Sequence, residues 1–376
     1  MIWALLACTR GPLPDSGEGD CTLALDGQHR SATSSLDGLE IWLAGDPEPE
    51  RAPVIALVLH GGLKADQAPP EQRLILPSGA SVVQLHGDLP GDDLGPLDRA
   101  HVLQLLRFAA GELPDDTGCS LQSYAPDPAG LVLVGLSLGG DLALATLALE
   151  DTPSVDGLVL WEVPSTPAFA SREYHLPERG DCALTDGSLR CEMDYSALAW
   201  DEQPYLDRNG SGAWEDPEPT WAGLDVQGAR YVSPEMRRLL EPLLPETHPL
   251  ASQDDTDAFW TDRRGDHLAP QVLSQQPDLA AILVAGEQDH VQPFSDAPHV
   301  IGLGQALSGA RWLRLNPDSV YTAQDRENPA NTGMDLSSPG EVLLGATGIQ
   351  HVGAAVHELA DRIRADDWSA DLDAPL

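Results

Sequence analysis

The residue best arranged for covalent chemistry is a serine between glycines. Gly135-Leu136-Ser137-Leu138-Gly139 fits the pattern G-x-S-x-G, with Gly140 directly after it. A serine hydroxyl attacks a carbonyl carbon only when a base removes its proton and a third group orients that base. The flanking glycines have a steric purpose. A serine on a tight strand-to-helix turn sits in strained backbone, and neighbouring turns must approach it without Cβ atoms in the way. Such a turn also aims the first N–H groups of the following helix at an anion forming beside the hydroxyl.

In sites of this strand-turn-helix type the chain order is serine, acid, histidine. The acid expected here is Asp289, in Leu-Val-Ala-Gly-Glu-Gln-Asp-His, just beyond an apolar run. Its rival is Glu162, directly after a strand ending at Trp161, with Glu287 and Asp296 as weaker candidates. The base expected is His351, in a glycine-bearing loop that feeds the last helix. His357 falls inside that helix, His290 adjoins the acid and His299 lies in a helix. Two preorganised N–H donors are needed for the oxyanion. One is the backbone of Leu138; the other is Gly62 or Leu63, with Gly61 also open, in the turn His60-Gly61-Gly62-Leu63. The adjacent Lys64, the chain's single lysine, is read as coincidence.

The elements that must position these residues follow from hydrophobic patterning. The continuous apolar run at 53–59 predicts a strand in a sheet covered on both faces, with buried strands at 131–134 and 155–161, another strand at 80–85, and the sheet pattern resuming at 279–285. Edge strands are expected near 21–25 and 39–43, and a further strand at 311–315. Apolar spacing predicts amphipathic helices over 97–110 and 352–364, with a helix over 296–309. Strands alternating with helices imply a doubly wound, mostly parallel sheet. The alternation stops over 164–275, a stretch holding more than half of the chain's aromatic residues and many Pro, Asp and Glu. It is expected to be an inserted cap of short helices and loops. The division expected is 1–21 leader or tether, 22–163 and 276–376 core, and 164–275 cap.

Five cysteines divide into one plus four. Leu5-Leu6-Ala7-Cys8 resembles the lipobox of bacterial lipoproteins, in which the cysteine carries the lipid, and a polar segment follows as a tether. No basic residue precedes Cys8, and the apolar run is short for an export signal. Cys182 and Cys191 flank Asp186-Gly187, a hairpin-turn dipeptide that could bring them together. Cys21 with Cys119 would be the second bridge. Export to a bacterial cell envelope, periplasm or exterior is the expectation, with membrane attachment only through a lipid on Cys8.

Acidic residues number 60 against 21 basic ones, a formal charge of −39. That balance argues against nucleic acid and anionic membrane surfaces as partners, since both require cationic patches. No acidic run has the spacing of a calcium loop, and no Cys/His cluster suggests zinc. No cofactor or metal is expected, and the sequence leaves the oligomeric state open.

Four features in order, His60-Gly61-Gly62, Gly-Leu-Ser137-Leu-Gly-Gly, Gly-Glu-Gln-Asp289-His-Val-Gln-Pro and the late His351, resemble the α/β-hydrolase family of serine hydrolases. The resemblance covers about 39–163 and 277–366 and leaves the cap unmatched. It implies a doubly wound sheet with an inserted cap and hydrolysis of a small-molecule carboxylic ester through an acyl-serine. Peptidase and thioesterase activity on the same scaffold stay open, as does a non-catalytic surface binding protein. Gly62 is followed by Leu-Lys rather than the Pro-Gly of proline iminopeptidases, which disfavours that branch. About 35 residues separate the 311–315 strand from His351, longer than usual for the family, with 341–344 as a candidate extra strand.

Overall fold

The computed structural model describes residues 24–26, 29–33, 40–43, 52–60, 82–87, 94–115, 118–123, 127–166, 178–185, 188–194, 196–201, 203–207, 210–212, 224–226, 229–242, 250–284, 298–315 and 349–368. Nine strands form one sheet: β1 (Ala24–Asp26), β2 (His29–Thr33), β3 (Glu40–Leu43), β4 (Val54–His60), β5 (Val82–Gly87), β6 (Gly130–Leu136), β7 (Gly157–Trp161), β14 (Ala280–Val284) and β15 (Trp312–Leu315). Their spatial order is β1-β2-β3-β5-β4-β6-β7-β14-β15. From β5 through β15 neighbouring strands are parallel, while β1, β2 and β3 join antiparallel at one edge. This is a doubly wound, mostly parallel sheet, as the alternation of strands and helices implies.

The continuous apolar runs are explained by helices on both faces. On β4, Ile55, Leu57 and Leu59 enter one core cluster, and Val54, Ala56 and Val58 enter the other. β6 divides the same way, Leu131 and Leu133 against Val132, Val134 and Leu136. Side chains alternate across a strand, so a strand dry on both sides has no polar position to spend. One layer is built by the helices Pro96–Ala109, Leu138–Leu147 and Gly265–Gln275, contributing Leu105, Leu144 and Val272 among others. The other is built by the closing helix Ile349–Ala365 through Val352, Val356 and Leu359.

Strand and helix bounds fall within three residues of expectation for β4, β6, β7, β14 and β15 and for the helices Pro96–Ala109, Pro298–Ala306 and Ile349–Ala365. Two expectations need correction. The stretch 164–275 holds three antiparallel hairpins besides its helices: β8 (Glu178–Thr185) with β9 (Ser188–Asp194), β10 (Leu198–Asp201) with β11 (Gln203–Leu206), and β12 (Leu224–Val226) with β13 (Ala229–Tyr231). Four of these strands, β10 to β13, are only three or four residues long, and β9 alternates polar residues with Leu189, Cys191 and Met193, so none carries an apolar run of the length found in the core strands. Their pairing across short connections is not something a search for apolar runs detects. The early edge also gains β2, whose sequence His-Arg-Ser-Ala-Thr carries no apolar run.

Asp186 and Gly187 themselves lie outside the described residues, between the strands of one of those hairpins. Thr185 pairs with Ser188 across a two-residue connection, and Cys182 pairs with Cys191 in the same register. Cys119 is 2% exposed and disulfide-bonded. Cys8, Cys21 and the 341–344 segment also lie outside the described residues. No helix among the described residues is long and apolar enough to cross a membrane.

Candidate active site

The register of four neighbouring strands brings their carboxyl ends level. His60 on β4 pairs with Leu136 on β6, Leu136 with Trp161 on β7, and Trp161 with Val284 on β14. Ser137 and Glu162 are therefore the first residues off adjacent strands. The chain leaves β4 toward Gly62 and β14 toward Asp289 at the same edge. The strand order reverses between β5 and β6 around β4, and in such sheets the edge crevice beside that reversal is where ligands bind.

Ser137 is the N-cap of the elbow helix Leu138–Leu147, with φ 53° and ψ −128°. That is left-handed backbone on a residue carrying a Cβ, a strained conformation that only surrounding structure can maintain. Two bonds maintain it: the Ser137 amide donates to Trp161 O at 2.9 Å, and the Gly140 amide donates to Ser137 O at 2.8 Å. Close packing completes the restraint. A Cβ on Gly135 would lie 2.4 Å from Gly140 Cα, and one on Gly140 would lie 2.1 Å from Val163 Cγ2. The sequence pattern pairs Gly135 with Gly139. In the fold it is Gly140 that Gly135 meets, because one helical turn after the strand returns the chain to its own end.

Leu138 opens the elbow helix, and its N–H is among the first-turn amides for which a helix has no carbonyl. Its side chain packs beside Phe259 and Trp260 of the helix Gln253–Thr261. There Tyr231 stacks on Phe259 at 4.1 Å, and the Arg263 guanidinium sits 3.8 Å over the same ring. The Trp260 indole N–H donates to Val232 O at 2.6 Å. The aromatic residues of the insert thus reach the residue after the serine.

Glu162 is 3% exposed with φ 49°, and its amide donates to Val284 O at 3.1 Å. His351 is the third residue of the closing helix, so the loop expected to hold it is already the helix's first turn. Asp289, Gly62 and Leu63 lie outside the described residues, as do Gly61, Lys64, Glu287, His290 and Asp296. His299 is fully buried in the helix Pro298–Ala306, where its carbonyl accepts from Ser165 Oγ at 3.3 Å. His357 is inside the closing helix as expected, and burial, the largest influence, holds its pKa below the usual histidine value.

One residue went unnoticed in the sequence. Asp141 lies four residues after Ser137 on the elbow helix and is 1% exposed. It is the only charged side chain between Leu138 and Leu149, and that isolation in an apolar helix was the available signal. Among the described residues no group of three or more His, Cys, Asp or Glu is arranged to hold a metal ion.

No family model matches the chain, and no curated protein matches it. Solved structures similar to it include esterases and lipases. The esterase domain of a Rhodothermus marinus protein is 15% identical, covering 89% of this chain and 99% of that one, with a TM-score of 0.37. An inhibited esterase B from Lactobacillus rhamnosis is 11% identical over 92% of this chain and 90% of its own, with a TM-score of 0.45. A lipase in its open form is 14% identical, covering 89% and 98%, with a TM-score of 0.40. Likeness at this level carries nothing about substrate or mechanism.

Proposed function

We propose that the chain is a serine hydrolase that cleaves a small-molecule carboxylic ester through an acyl-serine intermediate. The observation that carries this reading is the strained Ser137 backbone, with φ 53°, at the β6-to-helix elbow. A structural turn at this place would take glycine without strain. In the proposed reaction Ser137 Oγ attacks the ester carbonyl while His351 takes its proton and Asp289 orients the imidazole. The oxyanion is held by the Leu138 N–H and by the backbone at Gly62 or Leu63. His351 then protonates the leaving alcohol, and water repeats the cycle to release the acid. Burial and left-handed backbone at the end of β7 favour Glu162 as the alternative acid.

The wider reading extends from this site. The cap is assigned to 164–264, since the helix Gly265–Gln275 sends Ala269 and Val272 into the sheet's core. Cys182–Cys191 and Cys21–Cys119 are proposed as bridges, with export of the protein and lipid attachment at Cys8. Peptidase and thioesterase activity are the runners-up, since function resides in the site rather than the fold.

Labelling with a fluorophosphonate probe tests the nucleophile, because the probe should mark the wild type and not Ser137→Ala. A panel of p-nitrophenyl esters, thioesters and aminoacyl anilides then separates the classes; faster anilide than ester cleavage would replace esterase with peptidase. For the acid, Asp289→Asn should lower kcat by orders of magnitude and Glu162→Gln should do little. The reverse ranking assigns the role to Glu162.

A further inference from the structure

We propose that the buried Asp141 carboxyl, together with Asp266 and Arg264, is a proton-dependent clasp that seats the return helix Gly265–Gln275 on the elbow helix. The consequence for Ser137 rests on the reading of that residue as nucleophile; the clasp itself does not.

The elbow and return helices make the most extensive helix-to-helix contact among the described residues. At its end Asp141 is 1% exposed, and neither carboxyl oxygen has a well-formed hydrogen bond among the described residues. The return helix begins against it. A Cβ on Gly265 would lie 2.6 Å from Asp141 Oδ1 and 2.8 Å from Leu144 Cδ1, so only glycine lets the two backbones close. The next residue, Asp266, is also 1% exposed, and the Arg264 guanidinium grips it through Nε to Oδ1 at 3.1 Å and Nη2 to Oδ2 at 2.8 Å. Two buried carboxyl groups therefore meet at this contact, and the paired donors of the Arg264 guanidinium are directed at Asp266.

A second unpaired carboxylate in such a place costs more than a proton does, so the group stays neutral. Burial pushes the Asp141 carboxyl well above the usual range, the negative charge of Asp266 adds to that, and the nearby Gly265 amide opposes both. The elements packed around the elbow helix carry other titratable groups. The helix Pro96–Ala109 brings Asp98 and Arg99, the residues after β7 bring Glu162, and the helix Pro298–Ala306 brings His299. β4 and β6 meet the elbow helix with apolar residues. Among charged side chains, Asp266 is the main influence on Asp141.

Folding raises the Asp141 pKa, so between its unfolded and folded values the folded state binds more protons. Stability is full below the unfolded value and is lost as pH rises through the folded one. Ionisation sets two negative charges against each other across the contact, and helix separation or water entry relieves them. The elbow helix begins at Ser137 and Leu138, and the return helix is the segment through which the insert re-enters the sheet. Both are loosened together.

The test is thermal unfolding from about pH 5 to about pH 9 on the full chain, for wild type, Asp141→Asn, Asp266→Asn and Ser137→Ala. Asp141→Asn should unfold at higher temperature than wild type at alkaline pH, with the gap closing toward acid. Comparison of these two cancels the contribution of His357, present in both. Asp266→Asn removes the repelling charge, so the alkaline fall should flatten even if the first variant does not fold. A gap between Asp141→Asn and wild type that stays constant with pH, or an Asp266→Asn curve parallel to wild type, overturns the clasp. Ser137→Ala should retain the wild-type curve, which makes the stability readout independent of catalysis. Initial rates on a p-nitrophenyl ester complete the test: wild-type kcat should fall at alkaline pH more steeply than that of Asp141→Asn. Inactivity of every protein in that assay with the expected unfolding curves would reject the esterase reading and leave the clasp standing.

Discussion

The elbow and the insert achieve order by opposite means. At the elbow, backbone meets backbone. Gly135 faces Gly140, Gly140 faces Val163, and the neighbouring Leu59, Val134 and Leu160 are buried among apolar side chains. The described part of the insert consists of two-stranded hairpins and short helices. Such pieces are marginal alone. Around Phe259 they are joined by specific contacts: the Tyr231–Phe259–Arg263 stack, the Trp260 bond to Val232, and Arg237 pairing with Glu241 while donating to Ala251 O. The difference teaches where each region is vulnerable. The elbow cannot accept an added atom, whereas the insert cannot lose one of its few ties.

The sharpest break between the two concerns chemistry. Ser137→Ala should lower ester turnover by several orders of magnitude while leaving the thermal midpoint near wild type, since the change removes an oxygen and not packing. Turnover comparable to wild type would move the reaction away from the elbow.

Gly135→Ala should be the most destabilising single-methyl change, on the order of 3 kcal/mol, because the obstacle is Gly140 backbone and not a side chain that can swing aside. Gly140→Ala should cost less, since Val163 can shift. Denaturant midpoints of the two variants check this ranking, and equal or reversed costs would show that the elbow is not held by backbone approach.

In the insert, replacing Cys182 and Cys191 by serine should cost about 2–3 kcal/mol in local protection and raise KM more than it lowers kcat. Hydrogen exchange should place that loss in the hairpin β8–β9. Thiol titration of the non-reduced protein checks the premise, as two free thiols there would remove it.

The smallest effect expected is from Trp260→Phe. It keeps most of the ring packing and leaves Val232 O without its 2.6 Å donor, a loss of about 1 kcal/mol. A change in kcat comparable to its change in KM would show that the insert and the elbow are one unit rather than two.

Much of the core was legible because its causes are local in sequence. A strand covered on both faces must be apolar at consecutive positions, so β4, β6, β7 and β14 announce themselves. A serine on a tight strand-to-helix turn needs small neighbours, so Gly135-Leu-Ser137-Leu-Gly139 does too. Amphipathic spacing likewise predicts the closing helix Ile349–Ala365, although its first turn takes in His351. The Asp186-Gly187 dipeptide signals a hairpin because turn type depends on the residues in the turn, and the strands on either side of it do pair.

Other features depend on residues far apart in the chain, and only the tertiary structure decided them. Nothing in the order of strands along the chain says that β4 lies between β5 and β6, or that His60, Leu136, Trp161 and Val284 end level. The partner of Gly135 is set by how the elbow helix turns back, so Gly140 takes the place that the pentapeptide gives to Gly139. Asp141 looks like an ordinary helix acid until Gly265 and Asp266, more than a hundred residues later, close over it. Burial and charge belong to what surrounds a residue, and the sequence names the residue without naming its surroundings.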